Sequence, residues 1–344
     1  MLQEECKSGD QLMRQRHVLC TDIPVVLPLA TPLKFHYSEW QSIVSCFKEL
    51  GLVIVQGLIA DAEQLEELRQ AADAVVERTR KKQWPYKRTV GKQFPPWNDE
   101  SPDLWGVQHI MHPALHQPAF AAFYFSTRMI ELTGRLGGMC PEEDAMAGLL
   151  NLLVEPLEHQ FALSWHRDTI KSNVDEEEER RRLSSKVQYG GVQWNLALYH
   201  DECLFVVPGS HLRTRTAIER QVTTNCTQAG IQGDGVEMPN GICAALAPGE
   251  AVFYDPEILH RGAYDPHHKR RTLHGAHPDG RADISQAAGL LQHFKPSGMY
   301  FADPAFINTL PPDSPCAHRM VHRIVDRAAR GTALGYTECV QEDI

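Results

Sequence analysis

The sequence predicts a mainly β domain with flanking helices (α+β), its core a β-sandwich or jelly roll with N-terminal helices packed on one sheet. Two observations carry this expectation. From Ala147 onward the chain breaks into short strand-like apolar runs, at 149–155, 192–199, 204–207, 251–254 and 272–276. Turn signals separate them: ProGlySer at 208–210, GlyAspGly at 233–235 and ProGly at 248–249, as in all-β sandwiches and jelly rolls.

The segment before them reads as helical. Residues 1–36 look irregular, with prolines at 24, 28 and 32. A helix is predicted from Ser38, because Trp40, Ile43, Val44, Phe47 and Leu50 recur at helical spacing, Ser38 and Gln41 form a capping box, and Gly51 can end it. After the strand-type run 52–55, Asp61 caps a second helix with Leu65, Leu68, Ala71, Ala72, Val75 and Val76 on one face. Residues 81–97 are basic, aromatic and proline-rich and read as a loop. A third helix is expected at about 119–136, and Ser314-Pro315 should start a last one with Met320, Val321, Ile324, Val325 and Ala328 on one face. The run DEEEERRR at 175–182 pairs Glu176 with Arg180 at helical spacing and reads as a solvated turn. The expected organisation is one domain over 1–344: an irregular segment 1–36, a helical part 37–146, a jelly-roll core 147–280 and an extension 281–344 with a helix.

Composition excludes several classes. The chain has 344 residues, 42% hydrophobic and 23% charged, which is globular rather than disordered, collagenous or coiled-coil. A net charge of −10 argues against nucleic acid or anionic membranes as partners. No apolar run approaches the length of a membrane helix. The N-terminus is too polar for a signal peptide, and QEDI at the C-terminus is no peroxisomal address. The nine cysteines are scattered without a CxxC, so they read as reduced thiols of a cytoplasmic protein and exclude a zinc ribbon.

Three segments carry chemistry. In SWHRDT at 164–169, His166 and Asp168 are two apart, and strand alternation puts such a pair on one face, where it can bite a metal. In PGEAVFYDPEILH at 248–260, a tight turn leads into an apolar strand with His260 just past it. Arg271 then opens another strand, RTLHGAH, and a planar, bidentate guanidinium there suits a carboxylate. Together they make a two-His–one-carboxylate facial triad with an arginine clamp. His109, His112 and His116 are spaced temptingly, but Pro113 breaks a helix there, and a surface loop is expected.

With these residues the chain resembles the phytanoyl-CoA dioxygenase-like family of Fe(II)/2-oxoglutarate oxygenases. VVPGSH at 206–211, PGEAVFYDPEILHRG at 248–262 and FKELGLVIVQGLI at 47–59 carry the rest of the likeness, over about residues 38–277. The resemblance implies a double-stranded β-helix, cupin-like core that uses Fe(II), 2-oxoglutarate and O2. It implies that His166, Asp168 and His260 hold iron and that Arg271 binds the distal carboxylate of 2-oxoglutarate, with Arg270, one residue off and facing the other way, second. It further implies that Trp194 lines the cosubstrate pocket and that Asn151 hydrogen-bonds 2-oxoglutarate. Gly262 stands where relatives often carry a hydroxyl residue, so another donor is needed, and the stretch after Asp168 is longer than in many relatives.

The implied function is oxidative decarboxylation of 2-oxoglutarate to succinate and CO2, coupled to hydroxylation or a related oxidation of a small organic substrate. A secondary metabolite, an amino-acid derivative and a terpenoid all fit. Related halogenases replace the carboxylate by a small residue, so Asp168 points to an oxygenase outcome. The competing readings are a catalytically silent barrel acting as a partner subunit, a cupin-like protein using another metal, and an acyl-CoA hydroxylase. A homodimer is the candidate assembly. Residues 81–97, with Trp84 and Phe94, and residues 168–189 are expected to border the substrate mouth as mobile segments.

Overall fold

The structure, a computed structural model, describes residues 32–90, 100–184, 191–224, 238–284, 300–312 and 314–334. Its strands are β1 (Lys34–His36), β2 (Leu52–Gln56), β3 (Lys87–Thr89), β4 (Leu104–Val107), β5 (Leu150–Val154), β6 (Phe161–Ala162), β7 (Gly191–Ala197), β8 (Leu204–Val206), β9 (Ile242–Cys243), β10 (Ala251–Tyr254), β11 (His260–Tyr264) and β12 (Arg271–Pro278). The helices are α1 (Trp40–Leu50), α2 (Ala62–Arg80), α3 (Pro118–Tyr124), α4 (Thr127–Gly137), α5 (Glu176–Ser184), α6 (Ala217–Thr224), α7 (Pro304–Ile307) and α8 (Pro315–Ala333). Eight strands form one sheet in the order β1-β2-β10-β7-β12-β5-β4-β3, and four form a second in the order β6-β11-β8-β9. The sheets face each other: Trp105 and Leu153 of the large sheet pack with Phe161 and Tyr264 of the small one. This is the jelly-roll core expected from the short alternating runs.

Helices α1 to α4 cover the outer face of the large sheet, whereas α6 sets Val222 against Phe205 of the small one. α1 buries Ile43, Cys46, Phe47 and Leu50 and ends at Gly51 in the left-handed region, φ 75°, where a side chain would also overlap the His211 ring. Its expected capping box does not form. Glu39 is the N-cap residue, and Ser38 Oγ pairs instead with His36 Nδ1 at 2.8 Å. Asp61 caps α2 as expected, accepting from Gln64 N at 2.8 Å, and Ser314 caps α8. The single helix expected at 119–136 is two, because Ser126 ends one and caps the next, accepting from Met129 N.

Register decides which way each strand residue points. On β12, His274 lies opposite Asn195 of β7 and Asn151 of β5, and Gly275 lies opposite Trp194 and Leu150. The first row faces the small sheet and the second faces the helices. Trp194 is therefore fully buried against Phe123 and Tyr124 of α3, with ring centroids 6.0 and 6.1 Å away. Gly275 makes room for it, since a Cβ there would come within 2.5 Å of the indole. Tyr124 ties α3 to the sheet, donating to Ala276 O at 2.5 Å and accepting from Gly148 N at 2.7 Å.

Several elements differ from expectation. The irregular segment 1–36 ends in β1, which pairs parallel to β2; residues 1–31 lie outside the described residues. The part expected to be helical supplies β2 to β4 to the large sheet. β3 falls inside the loop expected at 81–97: Lys-Arg-Thr has no apolar alternation, and its pairing with β4 outweighs its weak local preference. Trp84 does not border an opening. It is buried and donates to Gln108 O at 2.9 Å, while Phe94 lies outside the described residues. The charged run is a helix, α5, but it is not wholly solvated. Glu179 is buried and accepts from Arg167 at 3.1 Å, Arg215 at 2.9 Å and Arg220 at 2.5 Å, because a buried carboxylate needs cations around it. His112 caps the short turn Pro113–Leu115, but His109 is buried rather than on a surface loop.

Candidate active site

His166, Asp168 and His260 come together at the rim between the sheets. His166 is not inside a regular strand. An isolated bridge joins it to His260, extending the β6–β11 ladder, with His166 N donating to His260 O at 3.0 Å and the reverse bond at 3.1 Å. The chain stays extended for two more residues, and Asp168 N donates to Pro256 O at 3.1 Å. The period-two reading thus holds without a full strand.

The donor atoms converge. One ligand atom from each residue lies within 4.8 Å of the others, the one such group of His, Cys, Asp and Glu among the described residues. Asp168 Oδ1 is 3.6 Å from His166 Nε2 and 3.7 Å from His260 Nε2. Each imidazole is fixed through its other nitrogen, His166 Nδ1 on Ser164 O at 2.7 Å and His260 Nδ1 on Ile258 O at 2.9 Å. Carbonyl acceptors at Nδ1 select the tautomer whose Nε2 lone pair faces the site, the usual arrangement around a metal ligand. Gln193 donates to Asp168 Oδ2 and leaves Oδ1 to the site.

The electrostatics suit a cation. Enclosure would raise the Asp168 carboxyl, but His260 and His166 beside it hold it down at about 2. Burial lowers His260 to about 4, so that ring is neutral. His166 moves the other way: burial lowers it, and the hydrogen bond to Asp168 outweighs that and raises it. Two neutral-capable imidazoles and one anionic oxygen, spaced for a single ion, fit iron(II).

Arg167, between the two donors, points away from them. Its buried side chain donates to Glu179 at 3.1 Å, Ser210 O at 3.0 Å and Arg213 O at 2.9 Å, and also to Glu257 O. Glu257 accepts from Thr169 as well, and burial raises its carboxyl to about 7. This lattice fixes the segment that presents Asp168.

The inner face of β12 carries Thr272 and His274, with Arg270 continuing that row just before the strand, and its outer face carries Arg271. Arg271 is not brought to the triad. It donates to Asp73 of α2 at 2.8 Å and to Glu155 at 2.5 Å, holding that helix to the end of the sheet. Arg270, ranked second in the sequence, is the one that faces inward. Trp194 likewise faces the helices rather than the cavity. Asn151 is on the inner row, where its Oδ1 accepts from His109 N at 3.2 Å. Sequence reasoning passed over Gln193, His274 and Arg88. His274 pairs with Asn195 at 2.8 Å, and burial, with Arg88 nearby, lowers it to about 3. The available signal was alternation: Gln193 and Asn195 flank Trp194, and one of the two sets had to face inward.

The fold and this rim site define a jelly-roll protein with a two-histidine, one-aspartate group that could hold a metal ion. The family model described as phytanoyl-CoA dioxygenase (PhyH) matches residues 47–265, and the chain belongs to that family. It is therefore an iron- and 2-oxoglutarate-dependent oxygenase, an oxidoreductase that also uses O2. No curated protein matches it. Among solved structures, AviO1 from Streptomyces viridochromogenes Tue57 is similar at 15% identity over 71% of this chain and 97% of its own, with a TM-score of 0.49. EctD from S. alaskensis, crystallised with 2-oxoglutarate and 5-hydroxyectoine, is similar at 13% identity over 68% of this chain and 74% of its own, TM-score 0.48. The carbocyclase SnoK from nogalamycin biosynthesis is similar at 18% identity over 70% and 83%, TM-score 0.46.

Proposed function

We propose that this oxygenase oxidises a small organic substrate by hydroxylation or a related reaction, at iron held by His166, Asp168 and His260, and that the described chain works as a single oxygenase domain. The observation that carries the reading is the convergence of three donor atoms within 4.8 Å, with each imidazole turned by a carbonyl at its Nδ1. When bound, iron and 2-oxoglutarate supply the oxidising power, with release of succinate and CO2 as O2 is consumed. The protein's part is geometry and exclusion of water. Ser164 and Ile258 carbonyls hold the two rings, and Gln193 holds Asp168. Tyr254 stands behind His260, ring centroids 5.4 Å apart, and Trp105, Leu153, Phe161 and Tyr264 fill the space between the sheets.

A nucleotide-bearing acyl-CoA is less well supported. In the locally basic stretch 81–88, Lys87 is buried and Arg88 belongs to the inner row, so neither is presented as a phosphate-binding surface. No helix among the described residues is long and apolar enough to cross a membrane. The test is succinate formation from 2-oxoglutarate by Fe(II)-loaded protein across a panel of secondary metabolites, amino-acid derivatives and terpenoids. Iron-dependent succinate that rises with one substrate, matched by an oxidised product, is the expected result. Iron-free activity, or binding of substrates with no 2-oxoglutarate consumption, would overturn it.

A further inference from the structure

The two histidines of the triad and its aspartate are held in different ways. His166 and His260 are spaced by reciprocal backbone bonds of 3.0 and 3.1 Å, a separation fixed by the main chain. Asp168 lies past the end of that ladder. Among the described residues its backbone makes one bond, to Pro256 O at 3.1 Å. Its place relative to the two rings is therefore left to side chains.

Those side chains flank it. Alternation sends Arg167 to the face opposite the donors, where it and Glu179 are both fully enclosed. A guanidinium so buried is tolerated only when a carboxylate and further acceptors meet it. The carboxylate comes from α5, and the carbonyls come from Glu257, Ser210 and Arg213. On the other side, Thr169 donates its hydroxyl to the Glu257 carboxylate. Residues 167, 168 and 169 are thus all fastened to Pro256 or Glu257, just ahead of His260.

The ProGlySer turn at 208–210 closes the circuit. Gly209 takes φ 76° and turns the chain so that Ser210 is buried. Ser210 Oγ accepts from Leu259 N at 2.8 Å, and Val207 N donates to Leu259 O at 2.9 Å. Ser210 therefore holds the residue before His260 through its hydroxyl and Arg167 through its carbonyl. The charged run supplies the rest. Glu179 also gathers Arg215 and Arg220, at 2.9 and 2.5 Å. Arg215 donates to Lys171 O and Ser172 O, each at 3.1 Å, and Arg220 to Val174 O at 3.0 Å. The carbonyls of the chain leaving Asp168 are thus held by cations collected on one carboxylate.

Resting on the functional reading above, we propose that Arg167, fixed by Glu179 and Ser210, is the positioning residue that sets Asp168 against His166 and His260, so that a buried charge on α5 governs how tightly the centre binds a divalent metal. Arg167 touches neither metal nor substrate and acts through the place of Asp168. Its planar fork reaches acceptors on three segments at once, which a lysine ammonium cannot do.

The test uses full-length protein with Fe(II) or Co(II) as the probe. The Fe(II) Kd is measured anaerobically, below the melting transition, by competition with a chromogenic chelator. The absorption bands of bound Co(II) report ligand geometry without turnover. Arg167→Lys keeps the charge but not the fork, and should raise the Fe(II) Kd at least about tenfold and shift the Co(II) bands. Glu179→Gln should act alike, and Glu179→Asp should recover part of the affinity. Thr169→Val removes one tie and leaves the ion lattice whole, and should raise the Kd about threefold. Arg271→Ala, which breaks ion pairs on the outer face, should lower the urea midpoint while leaving the Kd and the Co(II) bands as in wild type. Wild-type Kd and Co(II) bands in the folded Arg167 and Glu179 variants, or a loss of metal affinity in Arg271→Ala equal to theirs, would overturn the assignment and leave the iron-oxygenase reading standing. Should the charge variants not fold, Thr169→Val decides by the same two readouts. Wild-type protein that binds no Fe(II) would remove the functional reading together with this one.

Discussion

Arg270, just before β12, and Arg271, its first residue, are neighbours, yet they sit in opposite chemistry. Arg271 faces the helices, where Asp73 and Glu155 meet it with full ion pairs. Arg270 faces the small sheet, where Asp201 meets only one edge of it and Nη1 has no acceptor. The same contrast runs along the large sheet. The outer face buries Trp194 and Gly275 against α3, with Arg271 held by two carboxylates, while Trp194 Nε1 and both ring nitrogens of His277 have no hydrogen-bond partner among the described residues. The inner face carries Arg88, Asn151, Gln193, Asn195 and His274 around the triad. The difference lies in what the two faces hold: charged groups on the outer face meet ion pairs, whereas the inner face gathers amides, imidazoles and a guanidinium around the triad.

That contrast implies that inner substitutions change binding and outer ones change stability. The largest effect is expected at the triad. Asp168→Ala should weaken Fe(II) affinity by more than about 100-fold, the upper end of what outer-sphere changes cost, and abolish succinate formation. Its melting temperature should stay close to wild type, because its side chain is 29% exposed. A folded Asp168→Ala protein that binds iron normally would break the comparison.

Next comes the outer face. Arg271→Ala should cost about 2–3 kcal/mol in urea unfolding, discounted from the buried-pair range because Asp73 is 44% exposed.

A pH-dependent effect is expected at the rim. The Glu257 carboxyl, raised to about 7, binds its proton more tightly folded than unfolded. It therefore favours folding less and less as pH climbs from about 4 to about 7, and the penalty is complete above that. Glu257→Gln should gain up to about 3 kcal/mol of stability at pH 8 relative to pH 4, measured by denaturant titration at both values. An unchanged pH profile would mean that Glu257 is ionised at no such cost.

The smallest effect sharpens the outer face. Trp194→Phe should cost under about 1.5 kcal/mol and leave the 2-oxoglutarate Kd unchanged. A change in that Kd would return Trp194 to the cosubstrate pocket.

Local chemistry made much of this protein legible in its amino-acid order. Asp61 and Ser314 cap their helices because a short polar side chain before an apolar periodic run satisfies free N–H groups. The apolar runs became strands between their turns, and HxD with a later His gave the converging candidate donors because a two-residue spacing puts both side chains on one side. β3 was not legible, since Lys-Arg-Thr gains its strand from β4. Glu179 looked solvated for want of any sign in the run itself that Arg167, Arg215 and Arg220 would surround it.

What the sequence determined by itself was the jelly-roll class, the family and the two histidines and one aspartate that converge at the rim, all set by pattern along the chain. What only the tertiary structure decided was which face each strand turns inward. Alternation splits β12 into two sets, but one residue of register exchanges them, and the choice rests on long-range pairing with β5 and β7. For that physical reason Arg271 and Trp194 lie against helices, while Arg270 and Arg88 face the small sheet.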